Sequence, residues 1–316
     1  MRKTEQERDL SEARSPLGPV ESSLPSLPMS VPGPLPTVFT RHERTFGNFR
    51  FVYPVVSRRA GGVSIGVNLN PDKICNFDCV YCQVDRRELP GRVFVEIDRL
   101  REELHEAVRL VRGGELFSID KFVDTPISLR CLRDIAFSGD GEPTTFTNFE
   151  QICQLAAEVR RTERLDDVKL VLITNASMFH RPGVQRGLAI LDENGGEIWA
   201  KLDAGSEEYF QKVARTSIPF RRILDNITEA ARVRPLVIQS LFMRLNGQAP
   251  PPEEITAYCG RLNEILKAGG RIKLVQIYSV VRPPAESFVT ALSPQELEAI
   301  AAQVQSRTGL TTAVYP

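Results

Sequence analysis

Strand-like and helix-like segments alternate from residue 62 onward, and this alternation constrains the fold of the 316-residue chain more than any other feature. Apart from Lys169, residues 168–174 form a run of β-branched residues and leucine, which is typical of a strand buried in a parallel sheet. Residues 98–111 carry apolar side chains at helical spacing and are followed by two glycines that end the helix. Six such strand–helix units in a row predict an α/β fold with a parallel sheet.

The six predicted strands are residues 63–69, 134–138, 168–174, 197–203, 236–243 and 272–280. The predicted helices are residues 98–111, 149–160, 182–191, 207–213, 221–232 and 252–267, and a last helix that begins after Ser293. That last helix opens with a capping box between Ser293 and Glu296. Six units are too few for a closed eight-stranded barrel, so the residues alone leave open a doubly wound sheet or an open partial barrel.

The N-terminal region differs in composition from the rest. Residues 1–37 have a charged start followed by seven prolines among serines and small residues. They cannot bury enough apolar surface to offset the entropy of ordering, so a disordered tail is predicted, with a proline-rich docking peptide as the alternative. Residues 38–61 are aromatic and basic, and we expect a short strand or hairpin that covers one end of a domain spanning residues 62–316.

Charge and hydropathy limit the surroundings in which the chain works. Forty basic and forty acidic residues balance, so no global field draws the chain to nucleic acid or to an anionic membrane. The sequence contains no apolar run of eighteen residues, and its first fourteen residues lack the apolar stretch of a signal peptide. The low cysteine content suits a reducing compartment, so we expect a cytoplasmic protein that does not associate with a membrane.

Three cysteines, Cys75, Cys79 and Cys82, lie within eight residues. A structural zinc site needs four ligands, and the other three cysteines are isolated while the three histidines form no ligand pair. Zinc and inert core thiols are therefore the less favoured alternatives. Three thiolates on a tight loop without an obvious fourth suggest a metal cluster with one open position, and iron–sulfur clusters are held by cysteines on short loops.

This loop resembles the cluster loop of the radical S-adenosylmethionine (SAM) enzymes, through Cys75, Cys79, Cys82 and the aromatic Tyr81 directly before the third cysteine. The resemblance implies a [4Fe–4S] cluster whose open iron chelates the amino and carboxylate groups of SAM, with Tyr81 near the adenine. It also resolves the choice of fold, since radical SAM domains are partial (β/α)6 barrels of the TIM-like kind. Their cluster loop follows the first strand, as it does in this sequence.

A glycine loop follows the second predicted strand, at the end where α/β folds bind their ligands. Glycines let the backbone approach a ligand closely. The loop resembles the Gly-Gly-Glu element of the family, which contacts the amino group of SAM, with Asp140 in place of the first glycine. A plain turn is the alternative. The residues predicted to bind the cofactor here are Gly139, Asp140, Gly141 and Glu142.

Polar residues at the ends of the next two strands extend the predicted SAM site. Asn175 lies in a stretch that resembles the Thr-Asn-Gly of the family and is expected to support SAM binding, with a simple turn as the alternative. Lys201 and Asp203 alternate onto one side of the following strand. If that side faces the barrel interior they form a buried charged pair, which is either an ion pair or a functional group. The resemblance assigns no role to Lys201, which replaces the serine of the family's Ser-Leu-Asp.

Two residues on later strands and one in a loop after the last strand are further candidates for the same cavity. Gln239 and Gln276 are polar residues inside apolar runs and are expected to line a substrate cavity, with surface positions as the alternative. Arg282 follows the last predicted strand in a proline-rich loop. It is a candidate to bind an anionic group of SAM or of the substrate.

The resemblance implies reductive cleavage of SAM to methionine and a 5′-deoxyadenosyl radical that abstracts hydrogen from a substrate, with flavodoxin or ferredoxin as the type of electron donor. Residues 45–316 resemble a group of iron–sulfur oxidoreductases related to wyosine-type tRNA modification enzymes, whose best-defined members carry additional cysteines for a second cluster. A tRNA substrate is therefore one expectation. The alternatives are an activase that installs a glycyl radical in a partner protein, and a non-catalytic iron–sulfur protein that transfers electrons.

Overall fold

The computed structural model describes residues 37–39, 43–87, 91, 93–284 and 286–316. Apart from a short 3-10 turn that begins at Thr37 (Thr37–Phe39), the predicted tail lies outside the described residues. No helix in the described part of the chain is long and apolar enough to cross a membrane.

The described residues contain ten strands and seven α-helices. The strands are β1 (Val52–Ser57), β2 (Gly62–Val67), β3 (Leu132–Phe137), β4 (Lys169–Thr174), β5 (Gly196–Lys201), β6 (Leu236–Leu241), β7 (Met243–Leu245), β8 (Ile272–Tyr278), β9 (Val289–Ala291) and β10 (Thr312–Tyr315). The helices are α1 (Ile97–Gly113), α2 (Phe149–Thr162), α3 (Pro182–Glu193), α4 (Glu207–Ala214), α5 (Phe220–Val233), α6 (Pro252–Lys267) and α7 (Pro294–Thr308).

Eight strands form one curled sheet in the order β1-β2-β3-β4-β5-β6-β8-β10. β1 runs antiparallel to β2, and every other neighbouring pair is parallel. β7 and β9 form a separate antiparallel pair. The fold is the predicted α/β partial barrel, in which strand–helix units succeed one another around the sheet.

All six predicted strands and all seven predicted helices are present, with ends shifted by a few residues. The capping box at Ser293 is confirmed, because its side chain accepts from the Glu296 amide while the Glu296 carboxylate accepts from the Ser293 amide. The structure adds a seventh parallel strand, β10, at one edge of the sheet. At the other edge, β1 places part of the predicted cover segment in the sheet itself.

The two faces of the sheet differ in what covers them. Leu170 and Leu172 of β4 pack in the large core that includes the helices. Val171, between them, points to the other face and packs in a small cluster with Trp199 and Val237. The helices therefore cover the outer face, and the inner face encloses the lumen of the partial barrel.

The two edges of the open sheet approach each other through the turn between β1 and β2. Arg58 in this turn donates a hydrogen bond to a main-chain oxygen of Pro316, directly after β10. Its neighbour Arg59 places its guanidinium 5.8 Å from the ring centroid of Trp199, on the inner face of β5. The turn thus brings two arginines across the opening between the edges.

Candidate active site

One cavity of about 320 Å³ collects nearly all of the predicted site residues. Residues of the loops that follow the parallel strands contribute to its lining. This is the end of the sheet at which ligands bind in folds of this kind. The predicted residues that line it are Cys75, Cys79, Cys82, Tyr81, Gly139, Gly141, Glu142, Asn175, Lys201 and Asp203. Asp140 is the predicted site residue that is not part of the lining. Gln239 and Arg282 also line the cavity, whereas Gln276 does not.

The cysteine loop follows β2 and is held in place by backbone hydrogen bonds to the end of α4. The amides of Asp78 and Val80 donate to the carbonyls of Ala214 and Val213, at 3.1 and 3.0 Å. These bonds fix the backbone position of the cysteine loop, because they hold the residues on either side of Cys79. Its fold therefore depends on packing between two elements that lie more than 130 residues apart in the sequence.

The three thiols match the donor set of an iron–sulfur cluster. All three cysteines are free and only partly buried. Burial raises the pKa of Cys75 and of Cys79, so metal binding has to displace their protons. Among the described residues, no three histidine, cysteine or acidic side chains are arranged to hold a single metal ion, which gives the zinc alternative no support. An iron–sulfur cluster needs no such convergence, because the cysteines that hold a cluster ligate different iron atoms.

Arg86 connects the cysteine loop with the glycine loop. Its guanidinium donates to Cys82 Sγ at 2.8 Å, to the Lys73 carbonyl at 3.1 Å and to the Asp140 carbonyl at 2.7 Å. It places a positive charge beside the Cys82 thiol. Sequence reasoning missed Arg86, and the available signal was a basic residue four positions after the third cysteine.

The glycine loop packs against the start of the cysteine loop so closely that side chains are excluded. A Cβ atom on Gly141 would lie 2.2 Å from the Ile74 carbonyl oxygen, and one on Gly139 would lie 2.3 Å from Asn68 Oδ1. The two glycines thus serve the close approach of two backbone segments. The side chain of Asp140 lies outside the cavity because its carboxylate accepts hydrogen bonds from Arg44 and Asn68, both at 2.7 Å.

Glu142 is a buried carboxylate that joins the ends of β3 and β4. It accepts four hydrogen bonds, from the amide and hydroxyl of Thr144, the hydroxyl of Thr174 and the amide of Asn175, at 2.5–3.1 Å. Burial raises the pKa of this carboxyl, and the hydrogen bonds oppose that effect. Most of its acceptor capacity is used within the protein, so its first structural role is to shape the cavity wall.

Asn175 joins the end of β4 to the cysteine loop. Its side-chain amide donates to Asn76 Oδ1 at 2.8 Å, next to the first cysteine. The following residue, Ala176, adopts a positive φ of 61° at the position where the resembled motif has glycine. The turn therefore has the conformation that the motif requires, although this chain achieves it with alanine.

Lys201 and Asp203 form an ion pair inside the cavity. Lys201 Nζ lies 3.0 Å from Asp203 Oδ1 and donates to the Tyr278 hydroxyl at 2.6 Å. Tyr81 donates its hydroxyl to Asp203 Oδ2 at 2.5 Å. Burial lowers the pKa of Lys201, but Asp203 and Tyr278 outweigh burial and raise it, so the ammonium stays charged. This side of the strand faces the cavity, so the condition under which the two residues form a buried charged pair is met.

The two glutamines lie at different depths in this wall. Gln239 lines the cavity and accepts from the Tyr278 hydroxyl at 3.3 Å. Gln276 is buried beside it and accepts a hydrogen bond from Gln239 Nε2 at 3.1 Å. The prediction that Gln276 lines the cavity is wrong, since Gln276 is buried and is not among the lining residues, which it reaches through its hydrogen bond with Gln239.

Comparison with known proteins places this geometry in a family. The family model of the radical SAM superfamily matches residues 69–247, which hold the cysteine loop, the glycine loop and the Lys201–Asp203 pair. A curated "UPF0026 protein" from Helicobacter pylori strain 26695 is 27% identical over 215 residues, which cover 66% of this chain and 62% of that protein. A protein named "GTPase Obg" from Brachyspira hyodysenteriae is 24% identical over 263 residues, 81% of this chain and 32% of that protein.

Among solved structures, a radical SAM methyltransferase from Sphaerobacter thermophilus matches with a TM-score of 0.57 and 11% identity, over 83% of this chain and 68% of that one. A structure of TYW1 with a lysine–pyruvate adduct bound matches with a TM-score of 0.44 and 15% identity, over 77% and 73%. The chain spans between about a third and two thirds of the length of these two curated relatives. Since the family model covers more than half of the chain, the chain belongs to the radical SAM superfamily.

Proposed function

We propose that this enzyme holds a [4Fe–4S] cluster on Cys75, Cys79 and Cys82 and binds SAM in the adjoining part of the cavity. The observation that carries the proposal is that the three thiols, the glycine loop and the Lys201–Asp203 pair line the same cavity. When bound, the cluster supplies the electron that cleaves SAM to methionine and a 5′-deoxyadenosyl radical, which abstracts hydrogen from the substrate.

The chain's own residues bind, orient and exclude water. Arg86 contacts Cys82 and connects the cysteine loop to the glycine loop through its hydrogen bonds. Tyr81, hydrogen-bonded to Asp203, has a fixed ring orientation beside the cysteines and is the proposed contact for the adenine. The apolar part of the lining limits the access of water and of other hydrogen donors, and it includes Phe39, Phe77, Phe210, Val213, Phe220, Ile223 and Leu241.

Backbone and side-chain polar groups next to the thiols are the proposed partners of SAM's polar end. Gly139, Gly141 and Asn175 line the cavity, and the two glycines can do so only with main-chain atoms. Glu142 positions this part of the wall through its hydrogen bonds with Thr174 and Asn175. Lys201 and Asp203 provide a fixed pair of opposite charges in the same cavity, which can orient a polar ligand.

A tRNA substrate is the finer proposal, and it rests on the resemblance of residues 45–316 to wyosine-type tRNA modification enzymes. The basic lining of the cavity supports it, because a nucleic acid brings phosphate groups. We further propose a one-electron donor such as flavodoxin or ferredoxin, and a cytoplasmic location, where thiols of this exposure stay reduced. The alternatives are a glycyl-radical activase, which needs a partner protein, and an electron-transfer protein, whose cluster does not bind SAM.

The test is electron paramagnetic resonance of the anaerobically reconstituted, reduced protein with and without SAM, together with chromatography for 5′-deoxyadenosine. We expect a [4Fe–4S] signal that shifts on addition of SAM, and formation of 5′-deoxyadenosine. Replacement of Cys75, Cys79 or Cys82 by alanine should abolish SAM cleavage because each thiol holds one iron. The control is Cys131→Ser, whose thiol lies outside the cavity and contacts the Ser128 carbonyl.

Two results would count against the proposal. Full activity in any of the three loop variants would show that the thiol is not a ligand. A cluster whose signal does not change with SAM would favour the electron-transfer alternative. If SAM is cleaved, addition of unmodified tRNA or of a candidate partner protein, followed by mass spectrometry, separates the tRNA proposal from the activase.

A further inference from the structure

The cavity carries more positive than negative charge. Two acidic side chains, Glu142 and Asp203, line it. The basic side chains in its lining are Arg44, Arg58, Arg59, Arg86, Lys201 and Arg282. An excess of cations around an enclosed space favours an anionic ligand, because field lines concentrate between low-dielectric walls.

Three of the six cations have partners in the site already described. Arg44 is paired with Asp140 at 2.7 Å, and Lys201 with Asp203 at 3.0 Å. Arg86 contacts Cys82 and two carbonyl groups, and the thiolates of a bound cluster would add negative charge beside it. The positive charges of these three groups are therefore accounted for by their partners in the site.

Arg59 and Arg282 differ from them, since neither forms an ion pair with a carboxylate of the described residues. The Arg59 guanidinium lies over the ring of Tyr278, 4.9 Å from its centroid. The Nε atom of Arg282 is buried and has no hydrogen-bond partner in the part of the chain that the structure describes. A buried donor without a partner costs free energy, on the order of 1–3 kcal/mol, so a ligand that accepts from it is favoured.

These guanidinium groups also act on one another. Burial, followed by the charges of Arg44 and Arg59, lowers the pKa of Arg282 to about 10. Burial and the charge of Arg59 lower the pKa of Arg58, also to about 10. The direction is that expected for buried cations that lie near one another.

Tyr278 connects this cluster to the chemistry at the other end of the cavity. Its ring carries Arg59 on one side, and Lys201 Nζ lies 4.8 Å from the same centroid while bonding the hydroxyl. Lys201 pairs with Asp203, and Asp203 accepts a hydrogen bond from the hydroxyl of Tyr81, the residue directly before Cys82. The backbone of Arg282 also contacts the cysteine loop, because Gln83 Nε2 donates to its carbonyl at 3.4 Å.

We infer that Arg59 and Arg282, flanked by Arg58, form a subsite that binds a phosphate group of the substrate. The inference rests on the proposed function, because it names the class of molecule that the same cavity receives. Phosphate fits best since guanidinium groups bind it with two parallel hydrogen bonds. Two guanidinium groups that have no carboxylate partner among the described residues also match an anion of high charge. SAM is a poor match for this subsite, because its ammonium and sulfonium groups carry two positive charges and its carboxylate only one negative charge.

The test measures binding of radiolabelled inorganic phosphate to the anaerobically reconstituted full chain by equilibrium dialysis. We expect saturable binding that weakens about tenfold or more in Arg59→Gln and in Arg282→Gln, since each removes a charge-assisted hydrogen-bond donor. The matched control is Arg221→Gln, an exposed arginine on α5 that pairs with Asp225 and should bind phosphate like the parent. Arg282→Lys keeps the charge without the planar fork and should give an intermediate loss.

Competition then identifies the source of the phosphate. Displacement by a short single-stranded RNA indicates a phosphodiester, and displacement by ribose 5-phosphate indicates a small phosphate ester. Both results support the subsite. Absence of saturable binding, failure of both competitors, or an equal loss in Arg221→Gln overturns it.

A loss of SAM binding in Arg282→Gln with phosphate binding intact would overturn it as well, by assigning the guanidinium to SAM. Formation of 5′-deoxyadenosine by the same parent preparation tests the proposed function separately. Phosphate binding without SAM cleavage would refute the enzyme proposal alone, and SAM cleavage without phosphate binding would refute the subsite alone. Thermal unfolding of each variant identifies any that fails to fold, and Arg282→Lys then carries the comparison.

Discussion

At the scale of single residues, the site depends on side chains that hold loops rather than on acids and bases. Arg86 has three acceptors on two loops, and they come from residues 73, 82 and 140. Metal sites are tuned by such outer contacts, which orient the ligands and set the charge around them. Arg86 therefore has a larger role than its position outside the cysteine motif suggests.

Replacing Arg86 with glutamine should weaken cluster retention by about tenfold, the lower end of the effect of losing an outer contact to a metal ligand. Arg86→Lys keeps the charge but reaches fewer of the three acceptors, so its loss should be smaller. The measurement is the rate of iron loss to a chelator under anaerobic conditions, followed by absorbance. Arg87→Gln is the control, since this side chain is 87% exposed and pairs with Asp85. Equal rates for Arg86→Gln and Arg87→Gln would contradict the assigned role.

At the scale of elements, the sequence predicted what is encoded locally. The run of residues 168–174 and the capping box at Ser293 each contain their own signal, and both elements are present. β10 was missed because four residues after a helix carry too little pattern, and their pairing with β8 is decided by tertiary contact. The cysteine loop was predicted from its spacing. The arginine cluster was not, because Arg59 and Arg282 are brought together only by closure of the sheet.

The loop between β5 and α4 shows how a neighbouring element positions part of the site. It contains Asp203 and is held by Glu254 of α6, a buried carboxylate that accepts from the Gly205 amide and from the Ser206 hydroxyl at 2.5 Å. Ser206 in turn caps α4 by accepting from the Tyr209 amide. Glu254 thus fixes the start of the helix whose other end anchors the cysteine loop.

Glu254→Gln should destabilise the protein by about 1–3 kcal/mol. The glutamine NH2 group would face the donors of the loop, and one of these hydrogen bonds would be lost. The matched control is Glu253→Gln on the exposed side of the same helical turn, which should change stability by less than about 0.5 kcal/mol. Urea unfolding followed by circular dichroism measures both. Hydrogen exchange should become faster at residues 205–209 in Glu254→Gln. Unchanged exchange there would contradict the role of Glu254 in holding the loop.

At the scale of the whole molecule, the partial barrel encloses charged groups in its lumen as well as at its mouth. Asp134 of β3 is buried and accepts a hydrogen bond from Ser64 of β2. Burial raises its pKa to about 6, and the bond from Ser64 and the charge of Arg59 oppose that effect. The carboxyl therefore changes charge within the range in which the protein can be studied.

The sign of the resulting pH dependence follows from proton linkage. The folded carboxyl, with a pKa of about 6, holds a proton that the unfolded carboxyl, with a pKa of 3.8, has released. Its contribution to stability is fully present below the unfolded pKa and is lost as pH rises through the folded pKa. Between pH 5 and pH 8 the free energy of unfolding should therefore fall by about 1 kcal/mol through this group alone. Asp134→Asn keeps a hydrogen-bonding oxygen and cannot titrate, so the difference between parent and variant in urea unfolding should change by that amount across the range. Parallel curves for the two proteins would show that Asp134 keeps an ordinary pKa inside the barrel.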